Sequence, residues 1–102
     1  MPQPIDFKNI DPTIHAPARM AIMAILTQTN EVDYTFLSEE LGLTDGNLAT
    51  HMKKLEESGY VRCRKGFIGR KPRTSYRVTA KGRSAFEQYI DSLEAVVDKV
   101  RK

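Results

Sequence analysis

A short amphipathic stretch, a glycine and a longer amphipathic stretch follow one another over residues 35–58. They constrain the fold of this 102-residue chain more than any other feature. Thr35 can cap the first stretch and Gly42 can end it in the left-handed conformation, which predicts a helix of about two turns. The second stretch is predicted to begin at a Thr44 cap and to end at Gly59. A short helix, a tight glycine turn and a longer helix are typical of a helix-turn-helix.

Both predicted helices have one apolar side that a core must bury. In the longer helix Leu48, Met52 and Leu55 recur at i, i+4 and i+7, which places them on one buried stripe. The free face of this helix is polar and weakly basic, as in the helix that enters the major groove of DNA in helix-turn-helix proteins. The apolar side of the shorter helix is predicted to carry Phe36, Leu37 and Leu41.

The residues after the longer helix predict a β-hairpin. Its strands are residues 60–67 and 74–78, placed around the loop sequence GFIGRKPR. Apolar and basic residues alternate along the first strand over residues 61–64, so one face is apolar and the other basic. We call this hairpin, residues 60–78, the wing. Three cations with little apolar surface to bury are expected at its tip: Arg70, Lys71 and Arg73.

Charge is distributed unevenly along the chain. Residues 1–50 hold two basic and seven acidic residues, whereas residues 51–83 hold eleven basic and two acidic ones. This asymmetry indicates a polyanionic partner, either nucleic acid or an acidic membrane face, and its alternative is a solvated basic surface. The longest uncharged apolar run, residues 20–26, is far shorter than the roughly 20 residues of a membrane-spanning helix.

The first third of the chain is predicted to contain an arm, a helix and a short strand. Residues 1–10 have two prolines and no periodicity, so they are expected to be mobile unless a partner holds them. Asp11 and Pro12 resemble a helix cap and first helical residue, which predicts helix one over residues 12–28. The alternation that starts at Val32 predicts a strand of about three residues.

The last segment predicts a long helix, capped by Thr79, with a heptad repeat of apolar residues. Such a stripe packs along another helix, and a second copy of the chain is the favoured partner. The alternative is that the stripe folds back on helix one. The predicted dimerisation residues are Phe86, Tyr89, Ile90, Leu93, Val96, Val97 and Val100.

One continuous stretch carries a family resemblance. Residues 41–83 read LGLTDGNLATHMKKLEESGYVRCRKGFIGRKPRTSYRVTAKGR, which resembles the winged helix-turn-helix of MarR-like and ArsR-like transcription regulators. The upstream sequence DPTIHAPARMAIMAIL resembles the first helix of the same group. The chain lacks the cysteine clusters of metal-sensing ArsR-like members and is shorter than typical MarR-like members. It is similar to small PadR-like regulators that dimerise through a C-terminal helix.

The predicted partner is therefore double-stranded DNA, bound by a homodimer at an inverted repeat. Asn47 is expected to read adenine, and Thr50 to contact a thymine methyl group or a base edge. His51 and Lys54 are expected to reach bases or phosphates, and the wing cations to contact phosphate or a narrow minor groove. The candidate DNA-binding residues are Thr44, Asn47, Thr50, His51, Lys53, Lys54, Arg62, Arg64, Arg70, Lys71, Arg73, Arg77, Lys81 and Arg83.

The predicted class is mainly α with a small β-hairpin: a winged helix-turn-helix plus a long C-terminal dimerisation helix. The predicted division of the chain is an arm over residues 1–10, a DNA-binding domain over 11–79 and a dimerisation helix over 80–102. A winged helix that binds RNA or a protein shares this fold and is the alternative function. An effector ligand is left open.

Other classes of function are disfavoured by the same sequence. His15 and His51 stand alone without ligand spacing or a cysteine partner, so no catalysis, metal or other cofactor is expected. Cys63 lies on the apolar side of its strand, which favours a buried small side chain over a redox sensor. The first ten residues lack the pattern of a secretory signal, so no membrane partner and a cytoplasmic location are expected.

Overall fold

The computed structural model describes residues 1–101, and Lys102 at the end of the predicted dimerisation helix lies outside them. The three strands form one antiparallel sheet in the order β1-β3-β2. The predicted class, mainly α with a small hairpin and a long C-terminal helix, is confirmed. The elements are α1 (Pro17–Leu26), β1 (Val32–Asp33), α2 (Tyr34–Leu41), α3 (Asp45–Glu57), β2 (Val61–Ile68), β3 (Lys71–Val78) and α4 (Ala80–Arg101).

A single core lies where the helices pack on one face of the sheet. The predicted stripe of α3 is at its centre, with each of its three side chains at most 1% exposed. Burial of aliphatic side chains of this size contributes roughly 1.5–3 kcal/mol each, so this stripe fixes how α3 is rotated about its axis. The buried apolar residues are Ile14, Ile22, Met23, Leu26, Val32, Leu37, Leu48, Met52, Leu55, Val61, Tyr76 and Tyr89.

The end of α2 and both ends of α3 are marked by the predicted residues. Gly42 adopts φ 63° at the end of α2, in the left-handed region that favours glycine. The Thr44 hydroxyl oxygen accepts a hydrogen bond of 3.2 Å from the backbone N–H of Asn47, so Thr44 caps α3. Gly59, with φ 81°, follows the last turn of α3 and leads the chain into β2.

Helix one is shorter than the predicted 12–28, and both predicted ends are wrong. The helix begins at Pro17, because a residue before proline is excluded from the helical region and Ala16 is extended (φ −142°, ψ 134°). Asp11 does not cap it, and its carboxylate accepts instead from the backbone N–H of Thr13 and the hydroxyl of Tyr60. At the other end the side chains of Thr27 and Gln28 both donate to the Ala24 carbonyl, which closes the helix at Leu26.

The segment between α1 and α2 also differs from its prediction. The strand is two residues long, and α2 begins at Tyr34, so Thr35 lies inside the helix and does not cap it. Asp33 occupies the cap position without a side-chain hydrogen bond to the helix, because its carboxylate is bound by Arg73. Phe36 was predicted on the buried side of α2 but is 50% exposed, whereas Leu37 is fully buried.

The wing is a longer hairpin than predicted. The ladder runs from Val61 opposite Val78 to Ile68 opposite Lys71, and Gly69 (φ 61°) and Arg70 form the turn. The predicted loop GFIGRKPR is therefore wrong, since most of it is strand. Pro72 is tolerated because β1 pairs only with residues 75 and 76 of β3, which leaves the other edge of β3 free at this end.

The first half of α4 packs on the core of the same chain. Tyr89 is buried, and its hydroxyl lies 3.0 Å from Nδ1 of His15, so for this residue the structure favours the fold-back alternative. Phe86 and Ile90 of the same half, and Leu93 one turn beyond it, are partly buried and also contact the core. The arm lies along the second half of α4, where Lys99 donates to the Pro4 carbonyl at 2.6 Å.

Close packing between α4 and the start of β2 predicts a large effect at Gly82. A β-carbon there would overlap the carbonyl oxygen of Tyr60 and lie 2.8 Å from its carbonyl carbon. Because this neighbour is backbone, we expect Gly82→Ala to lower the free energy of unfolding by about 1–3 kcal/mol. Urea denaturation followed by circular dichroism measures the change.

Gly46 of α3 supplies the matched control, because a β-carbon there would meet no heavy atom within 4 Å. Gly46→Ala is expected to raise the free energy of unfolding by up to about 1 kcal/mol through helix propensity. If both alanine variants were stabilised, the close approach of α4 to Tyr60 would be refuted.

Candidate nucleic-acid interface

The side of α3 opposite its buried stripe is open along the helix. Asn47, Thr50, Lys53 and Lys54 are exposed, so the structure brings these predicted contacts together on one surface. The Thr50 hydroxyl donates to the Gly46 carbonyl at 2.9 Å, which leaves its methyl group and oxygen lone pairs available for contact. Such a surface offers donors, acceptors and positive charge to a groove of nucleic acid.

His51 lies at the border between this surface and the core. Its Nδ1 is 3.0 Å from Nη1 of Arg19, and Nε of Arg19 donates to the Thr13 carbonyl at 2.5 Å. Burial, the Arg19 guanidinium and the Lys54 ammonium together lower the pKa of His51 below its ordinary value. Arg19 is not among the predicted DNA-binding residues. Its signal was that it is one of two cations among the first fifty residues.

Four arginines share the outer face of the wing by strand alternation: Arg62, Arg64, Arg73 and Arg77. Arg62 pairs with Arg77 across the two wing strands, and both are exposed. Their predicted position on the basic face of the hairpin is confirmed. Like charges directly opposite each other repel, so a polyanion across this face would relieve the repulsion.

Arg73 does not lie at the wing tip, and its predicted position is wrong. It pairs with Gly66 inside the hairpin and contacts Asp33 at 2.6 Å and Glu31 at 3.4 Å. Arg64, on the neighbouring strand, lies 3.6 Å from Glu31. No local pattern indicated this cluster, because its acids precede its arginines by more than thirty residues.

The turn of the wing carries two cations that do not contact these acids. Arg70 and Lys71 are exposed at the tip. Phe67 and Ile68 beside them are exposed too, although little apolar surface was predicted there. The tip is thus a basic projection with an apolar component.

The two cations predicted at the start of α4 contact their own chain. Nη1 of Arg83 donates to the Thr27 carbonyl, at the end of α1, over 2.9 Å. The Lys81 ammonium lies 5.8 Å from the centroid of the Tyr60 ring, a distance typical of a cation–π contact. Thr79 caps α4 as predicted, because its hydroxyl oxygen accepts from the backbone N–H of Gly82 at 2.9 Å.

Within residues 1–101 no three His, Cys, Asp or Glu side chains are grouped to hold a metal ion. Cys63 is half-buried on the inner face of β2, beside Tyr76. Burial raises the pKa of the Tyr76 hydroxyl, and the neighbouring Cys63 thiol raises it further by a smaller amount. In the same part of the chain no helix is both long and apolar enough to cross a membrane.

Comparison with known proteins gives consistent matches. Residues 18–97 match the profile of a family described as winged helix DNA-binding domain. An uncharacterized protein of Methanocaldococcus jannaschii is 44% identical over 72 residues, which cover 71% of this chain and 78% of that protein.

Two solved structures illustrate the likeness of fold. A transcriptional regulator homologue from Pyrococcus horikoshii OT3 superposes with a TM-score of 0.84 at 30% identity, over 91% of this chain and 93% of that one. A PadR family transcriptional regulator from Eggerthella lenta DSM 2243 has a TM-score of 0.66 at 24% identity, over 82% of this chain and 81% of that one. At that identity the second structure shares the fold alone.

The cluster at the base of the wing predicts different roles for two of its arginines. Arg73→Gln removes the partner of both Asp33 and Glu31, so we expect the free energy of unfolding to fall by roughly 1 kcal/mol. Arg70→Gln at the exposed tip is the control and should change it by less than about 0.5 kcal/mol. Urea denaturation at low and high sodium chloride measures both. Equal effects of the two substitutions would contradict the cluster.

Proposed function

Because the chain belongs to the family of winged helix DNA-binding domains, we propose that it regulates transcription as a homodimer that binds a specific inverted repeat in double-stranded DNA. The family assignment confirms the resemblance to winged helix-turn-helix regulators. The observation that carries the proposal is the α3 surface. Its polar side chains are open along the helix, while its apolar stripe is fully occupied by the core of the chain.

In this proposal α3 enters the major groove. Asn47 can offer its side-chain amide to adenine as a donor and an acceptor, and Thr50 can offer its methyl group to thymine. Lys53 and Lys54, further along the same surface, neutralise flanking phosphates. Thr44 lies at the start of the helix, where the free backbone N–H groups of α3 favour an anion such as a DNA phosphate, and it contributes a polar group there.

The wing supplies contacts that do not depend on base sequence. Arg70 and Lys71 are exposed at the turn of the hairpin and reach phosphate or a narrow minor groove. Arg62, Arg64 and Arg77 face the backbone from the sheet, and Lys81 and Arg83 add charge at the start of α4. Arg73 differs from them, because it contacts Asp33 and Glu31 and so links the wing to β1.

The second half of α4 carries the proposed dimer contact. Val97 and Val100 are 42% and 70% exposed, although both continue the heptad stripe. The arm that lies along this half of α4 carries a further exposed apolar ring, that of Phe7. Residues 11–79 would then form the DNA-binding domain and residues 80–102 the dimerisation helix. Two copies would place their α3 helices about 34 Å apart, one turn of DNA.

Selection of bound sequences from a pool of random duplexes tests the proposal. An inverted repeat with half-sites one helical turn apart is the expected outcome. Competition between the selected duplex and RNA of the same length, at fixed salt, distinguishes DNA binding from the alternative of RNA binding. If RNA competes as well as the selected duplex, or if no sequence is enriched, specific DNA regulation is refuted.

Asn47 is predicted to supply discrimination between sequences. Asn47→Ala should weaken binding to the selected duplex by roughly 1–3 kcal/mol and to random duplex much less, because only base contacts depend on sequence. Fluorescence anisotropy on the two duplexes measures both affinities.

The double variant Arg70→Ala with Lys71→Ala is the contrast for that experiment. It should weaken binding to both duplexes alike and flatten the log–log salt dependence by about one per lost phosphate contact. If Asn47→Ala behaved in the same way, Asn47 would be a backbone contact and not a reader of bases.

Val97 is predicted to lie in the dimer contact. Val97→Glu would place a carboxylate from each copy in an apolar interface, where desolvation opposes it, so we expect the dimer to dissociate. Val97 is a better position than Leu93 for this substitution, because Leu93 also packs against the core of its own chain and its loss could unfold the monomer. Sedimentation velocity measures whether the variant is a monomer or a dimer. A monomeric variant should bind DNA half-sites and full sites equally strongly.

Gln88→Glu adds the same charge to an exposed position of α4 outside the heptad stripe and is expected to remain dimeric. If Val97→Glu also stays dimeric at the same concentration, the interface lies elsewhere on the molecule.

A further inference from the structure

A contact between α1 and α3 fixes the ring of His51 from outside the helix-turn-helix. Arg19 spans the gap with two donors of one guanidinium: Nε reaches the Thr13 carbonyl at 2.5 Å and Nη1 reaches His51 Nδ1 at 3.0 Å. The bond to Thr13 fixes the plane of the guanidinium, so the N–H of Nη1 is directed at His51 Nδ1. His51 follows Asn47 by one turn of α3, on the same side of the helix.

The chemistry of this contact decides which nitrogen of His51 carries the proton. A guanidinium has five N–H donors and no acceptor, so Nδ1 must provide its lone pair. A neutral imidazole has one N–H, which therefore sits on Nε2. While the contact with Arg19 persists, the second nitrogen of His51 can donate a hydrogen bond but cannot accept one.

We propose that Arg19 is a positioning residue that determines sequence preference by holding His51 as a hydrogen-bond donor toward DNA. This inference rests on the proposed function of α3. In the major groove, N7 of a purine, O6 of guanine and O4 of thymine accept such a bond, whereas the N4 amino group of cytosine does not. The opposite tautomer of His51 would accept from amino groups and reverse this choice.

The charged groups around His51 keep it in the neutral form that this role requires. Arg19 faces it from α1 and Lys54 from its own helix. Glu57 is the acid that lines a surface groove together with Arg19 and Lys54. Asp11, in the segment before α1, is held by the Tyr60 hydroxyl and the Thr13 N–H. A proton on Nδ1 would break the bond to Arg19 and bring two cations together, so the neutral ring persists below the ordinary pKa of histidine.

Loss of Arg19 therefore has a signature in pH. Loss of the guanidinium removes one of the causes that lower the pKa of His51, while burial, the largest cause, and Lys54 remain. The ring of the variant therefore becomes an imidazolium at a higher pH than the ring of the native protein. A cation attracts every phosphate, so as the pH falls the variant should gain affinity for all duplexes earlier than the native protein while it discriminates less between them. The native protein should show a flatter profile over the same range.

Two variants of Arg19 separate positioning from simple charge. Arg19→Met removes both donors and the charge. Arg19→Lys keeps the charge but loses the planar pair of N–H groups that reaches Thr13 and His51 together. For both we expect a loss of about fivefold to tenfold in discrimination at the base pair that His51 contacts, the size of one hydrogen bond. Arg19→Lys should retain the salt dependence of the native protein.

The background variant His51→Gln supplies the second arm of the test. Its side-chain amide does not depend on Arg19 for its protonation state, so Arg19→Met should change discrimination by less than about twofold in this background. The same variant also guards against a general loss of folding, because a misfolded Arg19→Met would lose binding in either background.

The experiment begins with nitrogen-15 NMR of the imidazole rings in the free native protein between pH 5 and pH 8. An unprotonated Nδ1 and a protonated Nε2 on His51 are expected. Affinities for the selected duplex and for duplexes altered at single base pairs follow, for the native protein and the variants, at two salt concentrations and across the same pH range.

The outcomes distinguish this inference from the function on which it rests. A protonated Nδ1, an unchanged discrimination in Arg19→Met, or a uniform loss on all duplexes with a flatter salt dependence would each overturn it. The last of these would make Arg19 a phosphate contact. Absence of any sequence preference in the native protein would refute the proposed function and this inference with it, whatever the NMR result.

Discussion

Burial of the apolar stripe of α3 is the interaction on which the rest of the molecule depends. Leu48, Met52 and Leu55 are almost completely removed from solvent at the centre of the core. An α-helix has a fixed angle between successive residues, so once three positions are buried the direction of every other side chain is settled. The core therefore sets the orientation of the polar surface of α3, and the proposed contacts with single bases depend on that orientation.

The wing depends on two smaller attachments at its base. Arg73 ties β3 to the acids of β1 and the preceding loop, and the close approach of Gly82 to the Tyr60 backbone joins α4 to the start of β2. Each attachment lies far along the chain from the residues that it orients. The exposed cations at the tip form no ion pair with the acids that bind Arg64 and Arg73.

Much of the fold could be predicted from local patterns. Gly42, Thr44, Gly59 and Thr79 end or begin helices as expected, since the geometry of a helix end is decided by residues within one turn of it. Local reasoning failed where two local signals competed. Asp11 and Pro12 resembled a helix start, but the proline at position 17 set the actual one, and the glycines of the wing were interpreted as a loop although the ladder continues past them.

The sequence by itself determined the periodic elements, the basic character of residues 51–83 and the family to which the chain belongs, because these follow from spacing and composition. Only the tertiary structure decided which of those side chains are free. It placed Tyr89 in the core, bound Arg73 to two acids and brought Arg19 to His51 across thirty-two positions of sequence. These outcomes depend on distances between elements, and such distances arise from packing the whole core at once, which no single stretch of the chain encodes.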